Sequence, residues 1–249
     1  MQTVSFCLAG LKIRAEVRFE QTRTFLGKYR TENTEDADLF FEITEELLEK
    51  ERMLAKEQQD RGKGSAAAPR DAYLETLALY RLIAEELPRL DRLLLHASAL
   101  SFEGQGALFL ARSGGGKSTH AALYRSEYPD RVQMINDDKP VLWFREDGIY
   151  ACGTPWSGKH RISRPIAVPL KAAALVVKAK DNRMEEIPSS LALPEFFAQT
   201  YRPESAEALG KTLSLLKRLS ETVPLYRLDC TKDPEAARLS KSILFGKIV

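Results

Sequence analysis

The chain has 249 residues, 44% of them hydrophobic and 29% charged, a composition that suits one large or two small globular domains and excludes wholesale disorder. With 37 basic and 35 acidic residues the formal net charge is +2, which leaves no electrostatic footprint for a nucleic-acid partner. Cys7, Cys152 and Cys230 form no C-x-x-C pair and read as reduced thiols; with no leader and no run near the ~20 apolar residues of a bilayer span, a cytoplasmic protein without a membrane partner is expected.

Loose alternation over residues 3–8 and 11–17 predicts two short strands. Residues 45–63 are highly charged and predict an exposed helix with a solvated acidic face, running into a Gly/Ala/Ser linker that ends at Pro69. A boundary follows from that composition: residues 1–70 form a β-containing N-terminal segment with a charged linker, and residues 71–249 form the main domain. The next helix has Tyr73, Leu77, Tyr80 and Ala84 at helical spacing, widened by Leu74 and Ile83, with Asp71 as N-cap and Pro88 as its stop.

Residues 93–100 and 107–111 predict two strands joined by a Glu103-Gly104-Gln105-Gly106 turn. A helix follows from Lys117 through Tyr124, then a strand over 132–135 that ends at Asn136-Asp137-Asp138. Asp147-Gly148 between apolar residues 141–144 and 149–152 is a hairpin signal. Residues 171–177 read as a buried strand, 193–219 as one helical stretch, 223–228 as a strand and 234–244 as a last helix. The sum is an α/β fold with a mixed sheet flanked by helices.

The segment Ala111-Arg112-Ser113-Gly114-Gly115-Gly116-Lys117-Ser118-Thr119 fits G-x-x-x-x-G-K-[ST], with alanine in place of the first glycine. A helix N-terminus offers unpaired N–H groups and a positive dipole end. Glycines at 114–116 let the chain curl its amides inward. Lys117 is placed to reach β/γ-phosphates and the Ser118 hydroxyl to ligate Mg²⁺. A dinucleotide fingerprint is excluded, because it needs glycine where Thr119 stands. About 20 residues on, Asp137 and Asp138 follow an apolar strand, which should bring them to the same sheet end. One carboxylate there can hold Mg²⁺ and the other can accept a proton from an attacking hydroxyl; spacing does not decide which. ATP and Mg²⁺ are the expected cofactors.

With His96 in a strand before the loop, Ser113 through Ser118, Asn136-Asp137-Asp138 and Gly153-Thr154-Pro155-Trp156-Ser157-Gly158-Lys159, residues 94–177 resemble the HPr kinase/phosphorylase-like group, relatives of the phosphoenolpyruvate carboxykinase fold. The Gly-Thr-Pro-Trp segment is similar to that of smaller HPr-kinase-like proteins, and the hairpin after the aspartates fits this fold. The resemblance implies a P-loop domain in which Lys117 contacts phosphates, Ser118 the metal, and Asp137 or Asp138 serves as base and metal contact, with His96 tuning the pair. By itself His96 is a lone histidine on an apolar strand. The chain lacks the Arg-Gly loop and C-terminal signature of true HPr kinases, so the resemblance speaks for nucleotide chemistry and not for HPr as acceptor.

Residues 153–161 are the expected substrate-side loop, in which Trp156 offers a stacking surface and Lys159, His160 and Arg161 supply positive charge; Arg164 is a weaker version. His120, just past the loop, is read as structural or solvent-facing. The expected activity is phosphoryl transfer to a serine of a protein or peptide. A small hydroxyl metabolite such as free serine, or a nucleotide-binding regulatory module without catalysis, are the alternatives.

Overall fold

The computed structural model describes residues 1–32, 36–61, 69–112 and 114–246. The chain divides into two compact units, Met1–Glu85 and Glu86–Val249. The expected linker at 62–68 lies outside the described residues. The compact division falls at 85/86, later than a boundary after residue 70, because the helix beginning at Asp71 is bound into the first unit.

In that unit β1 (Gln2–Leu8) and β2 (Leu11–Val17) form an antiparallel hairpin. It turns at Ala9 and Gly10, both at positive φ (48° and 78°), as a two-residue turn requires. Helix α1 (Glu20–Leu26) carries the chain over to β3 (Leu39–Glu42), which pairs parallel to β2. Helix α2 (Glu45–Asp60) starts at Thr44, whose hydroxyl accepts from Leu47 N at 3.4 Å. Its acidic face is not wholly solvated, since Glu51 is buried and pairs with Arg81 at 2.5 Å.

Helix α3 (Asp71–Glu86) corrects two expectations. Asp71 is its first residue rather than its N-cap, and its carboxylate takes Arg52 at 2.7 Å. The buried face runs through Leu74, Ala78, Leu79 and Ile83, while Tyr73 is exposed. That face includes Glu75, fully buried, whose carboxylate accepts from Arg18 N (2.6 Å), Phe19 N (3.2 Å) and the Thr22 hydroxyl. Glu75 thereby supplies acceptors at the start of α1, where helix geometry leaves amides without partners.

The second unit is built on a nine-stranded mixed sheet. Its strands are β4 (Arg92–Leu94), β5 (Ser98–Phe102), β6 (Gln105–Leu110), β7 (Val132–Asn136), β8 (Val141–Arg145), β9 (Gly148–Cys152), β10 (Ala167–Lys178), β11 (Arg183–Ile187) and β12 (Leu225–Cys230). The order is β4-β8-β9-β10-β6-β5-β7, and β12 lies against both β10 and β11. Residues 93–100 are not one strand: the chain leaves β4, bends at His96-Ala97, and re-enters as β5. Helix α4 (Lys117–Glu127) and α7 (Pro234–Leu244) cover one face through Ala121, Tyr124, Ala236, Ala237 and Leu244. Helices α5 (Ser189–Gln199) and α6 (Ala206–Thr222) cover the other through Phe196, Leu215, Leu216 and Leu219. The single helix expected over 193–219 is thus two, interrupted where Pro203 removes a backbone donor.

Central strand β6 is buried on both faces, with Leu108 and Leu110 in one core and Ala107 and Phe109 in the other. It runs parallel to β10, and β10 parallel to β12. Because β5 is antiparallel to both β6 and β7, those two point the same way. Strands β6, β7, β10 and β12 therefore all end on one edge, and β5 begins there. This mixed α/β arrangement gathers the chemistry-bearing residues.

Candidate functional site

The loop between β6 and α4 leaves the sheet at Ala111, whose methyl sits fully buried among Ala121 and Tyr124. Alanine in place of the motif's first glycine therefore fills core. Gly114 (φ +71°) and Gly116 (φ +108°) occupy the left-handed region. Gly115 is confined differently: a Cβ there would stand 2.7 Å from Arg112 O and 2.8 Å from the Ala111 Cβ. Its N–H donates to Arg112 O at 2.8 Å, closing the curl. All three glycines are thus demanded by the backbone. The first intrahelical donation near the start of α4, from His120 N to Gly116 O at 2.9 Å, follows three residues whose amides a helix leaves without acceptors of its own. Ser113 lies outside the described residues. Lys117 is buried in the first turn, Ser118 half-buried and Thr119 exposed.

Across the sheet end, β7 delivers Asn136, fully buried. Its side-chain amide donates to Thr154 O (3.0 Å), Thr154 Oγ1 (3.2 Å) and Trp156 O (3.1 Å). Its carbonyl oxygen accepts from Asp138 N (2.8 Å) and Lys139 N (2.6 Å). One side chain thus ties the returning 154–156 segment to the acidic turn. Asp137 is buried; its Oδ1 accepts from Gly158 N at 2.7 Å, whereas its Oδ2 has no partner. Its backbone is fixed as well, with Ser98 Oγ donating to Asp137 O (3.1 Å) and Asp137 N to Ile162 O (3.1 Å).

Three charged or titratable side chains then meet. Lys117 Nζ lies 3.2 Å from His96 Nε2, and the same nitrogen lies 3.1 Å from Asp138 Oδ1. A single ring nitrogen cannot accept from the ammonium and donate to the carboxylate at once, so these two contacts compete. Lys139 adds its ammonium 3.8 Å from Asp138 Oδ2. Burial lowers the Lys117 ammonium below its ordinary value; Asp138 opposes that and Lys139 reinforces it. Burial works to raise Asp138, but the hydrogen bond to His96 and the charges of Lys139, His96 and Lys117 outweigh it and hold the carboxyl below its usual range.

Of the expected substrate loop, Lys159, His160 and Arg161 are exposed. Trp156 corrects the expectation: at 7% exposure it is a buried prop rather than a stacking surface, and its carbonyl serves Asn136. His120 is a core residue, 1% exposed, packed against Phe109 and Tyr124, with Nε2 3.0 Å from Ser240 Oγ; burial pushes its pKa down to about 4. Lys117, His96, Asp137 and Asp138 come together. Asn136 appears in the sequence only as part of a motif, and neither its clamp nor the Gly158 amide is visible there, since both depend on a segment returning some 20 residues later.

Such a cluster can bind an anion on main-chain amides and Lys117, and can take a proton at Asp138. Among the described residues no group of three or more His, Cys, Asp or Glu side chains forms a protein-only metal cage. Mg²⁺ bound together with phosphate needs only one or two protein ligands. The Ser118 hydroxyl, the unpartnered Oδ2 of Asp137 and the partly exposed carboxylate of Asp138 are hard donors of that kind. No helix among the described residues is long and apolar enough to cross a membrane.

No family model matches the chain, and no curated protein does. Among solved structures, the Hpr(Ser) kinase/phosphatase from Coxiella burnetii overlaps 61% of this chain and 93% of its own, at 13% identity and a TM-score of 0.34. An overlap that loose bears no weight, and the chemistry rests on the residues alone.

Proposed function

We propose that this chain is an ATP-dependent phosphotransferase that moves the γ-phosphate of Mg-ATP to a hydroxyl, with a serine of a protein or peptide as acceptor. The observation that carries the reading is a glycine-curled loop opening a helix at the sheet end where His96 Nε2 lies 3.2 Å from Lys117 Nζ and 3.1 Å from Asp138 Oδ1. On this reading the amides of residues 113–119 and the Lys117 ammonium take the triphosphate. Ser118 and the acid pair would hold Mg²⁺, which when bound neutralises charge on the phosphate oxygens.

The acceptor hydroxyl lies against Asp138, whose side chain is 30% exposed, while Asp137 is closed in behind it. As the hydroxyl oxygen bonds to the γ-phosphorus, the bond from that phosphorus to the β–γ bridging oxygen breaks. ADP leaves with the electron pair, and the hydroxyl proton passes to the Asp138–His96 pair. Lys117 turns from His96 to the transferring group. Asp137 keeps the 158 turn in place through Gly158 N. Few side chains suffice, since phosphoryl transfer is catalysed mainly by positioning and electrostatic stabilisation.

Calorimetry with Mg-ATP, together with transfer of labelled γ-phosphate to serine peptides, tests this. Wild-type chain should give a binding heat, and Asp137→Asn/Asp138→Asn should retain part of it while transfer drops by about a hundredfold or more. Absence of heat in the wild type, or undiminished transfer in the double variant, overturns the proposal.

A further inference from the structure

The sheet end has a direction. The glycine loop follows β6, His96 precedes β5, and the acids follow β7, two strands from the loop. Beyond β7 the chain itself adds an outer segment: Arg164 N donates to Ile135 O (3.0 Å), Asp137 N to Ile162 O (3.1 Å), and Asn136 bridges Ser163. That segment is entered through a tight turn closed by Arg161 N donating to Gly158 O at 2.9 Å. At one end of the turn Gly158 is held by Asp137 and packs so closely that a Cβ would stand 3.2 Å from Asp137 Oδ2 and 3.3 Å from the Asp138 Cβ. At the other end Arg161 is forced to φ +52°, the left-handed region that a non-glycine residue avoids.

The turn displays Lys159, His160 and Arg161 in succession, all exposed, and none makes an ion pair among the described residues. Some surface cations are paired, as Arg52 is with Glu45, Glu49 and Asp71 and Arg238 with Glu127 and Glu235; what sets Lys159 and Arg161 apart is their place on a turn pinned to the acid pair. Two charged side chains of like sign, one residue apart on a strained turn pinned to the acid pair and without counter-charge, are a poor arrangement for folding alone. They lie on the side of Asp137 and Asp138 away from the phosphate loop, which is the side from which an acceptor must approach if the triphosphate occupies that loop.

We infer that the acceptor hydroxyl is presented by an acidic peptide segment, whose carboxylates next to the accepting serine seat on Lys159, His160 and Arg161; this rests on the phosphotransferase reading for the identity of the loop's ligand. Lys159 and Arg161 each offer a separate seat for a carboxylate, which suits a peptide with acids on either side of its serine better than a compact hydroxyl metabolite. Lys159 and Arg161 supply the attraction, which raises encounter rate and selects against basic sequences.

Two fluorescently labelled nonapeptides, each with one central serine, one flanked by glutamates and one by lysines, are titrated with the 249-residue chain by anisotropy. The titrations are run with and without Mg²⁺ and a non-hydrolysable ATP analogue. The glutamate peptide should bind about tenfold more tightly or better, a difference that added salt erodes. In Lys159→Glu/Arg161→Glu that preference should vanish or invert. Arg183→Glu/Lys217→Glu, the same charge change on exposed positions of β11 and α6, should keep it. Equal affinities, or an unaltered preference in Lys159→Glu/Arg161→Glu, overturn the inference. Displacement of the glutamate peptide by free serine of matching affinity overturns it in favour of a small hydroxyl acceptor. A chain that holds the acidic peptide yet gives no heat with Mg-ATP would sink the phosphotransferase reading and leave the assignment of the turn standing; heat with ATP and no peptide preference would do the reverse.

Discussion

Two buried carboxylates, one in each unit, have opposite surroundings. Glu75 is fully enclosed and accepts two backbone N–H groups and the Thr22 hydroxyl. Asp137 is nearly as enclosed, yet only Oδ1 is engaged, by Gly158 N, and Oδ2 faces no donor. Leaving a buried polar atom without a partner costs roughly 1–3 kcal/mol, and native proteins leave few. The contrast separates a carboxylate that organises a helix start from one held short of satisfaction beside a cluster that can do chemistry.

The strongest way to sharpen that contrast is Lys117→Ala. Turnover should fall by about 10²- to 10³-fold or more, as for loss of a donor to developing charge. Stability should hold or rise, because burial already disfavours the ammonium. A melting curve beside the transfer assay reads both, and full activity in that variant breaks the picture. Next in size, Glu75→Ala strands three donors of the first unit. It should lower stability by about 2–4 kcal/mol in a denaturant titration while the Mg-ATP heat persists. Asp137→Asn should cost no more than about 1 kcal/mol, since one of its oxygens has nothing to lose; if it destabilises as much as Glu75→Ala, the distinction between the two carboxylates fails.

The smallest expected effect concerns pH. Asp138 is depressed, so its contribution to stability is complete above the ordinary carboxylate value and is lost as pH falls through the lowered one. In His96→Ala the largest of the contributions that together offset burial, the hydrogen bond to Asp138, is gone. The Asp138 value then rises, and the acid limb of the transfer profile moves towards neutral pH. A pH–rate profile that does not move would remove His96 from any influence on that carboxylate.

What was legible in the sequence follows from how local each signal is. The hairpin signals lie close to the observed turns, the one expected over 103–106 tightening to Glu103-Gly104 because Gln105 and Gly106 already pair in β6, and the glycine run announces its curl because positive φ is a property of the residue itself. Strand β11 was illegible: Arg183–Ile187 reads RMEEI, and its extended form comes from lying along β12 at a sheet margin. Tyr73 and Trp156 were misjudged for related reasons. Periodicity locates a stripe but not the neighbour that covers it, and an aromatic in a polar loop gives no sign that Asn136 will anchor it inward. The meeting of His96 with Lys117 and Asp138 depends on the start of β5 lying beside the ends of β6 and β7, which spacing along the chain does not encode.

Gly153 has a consequence for descent. A Cβ at that position would lie 1.8 Å from Arg164 O and 2.9 Å from Ile135 O, inside backbone that has nowhere to retreat. Any lineage carrying this architecture must keep glycine there, whereas positions 159–161, a few residues along the same loop, are free to drift. Immobile framework and variable rim sit side by side, so divergence can change the choice of partner while the reaction itself is inherited intact.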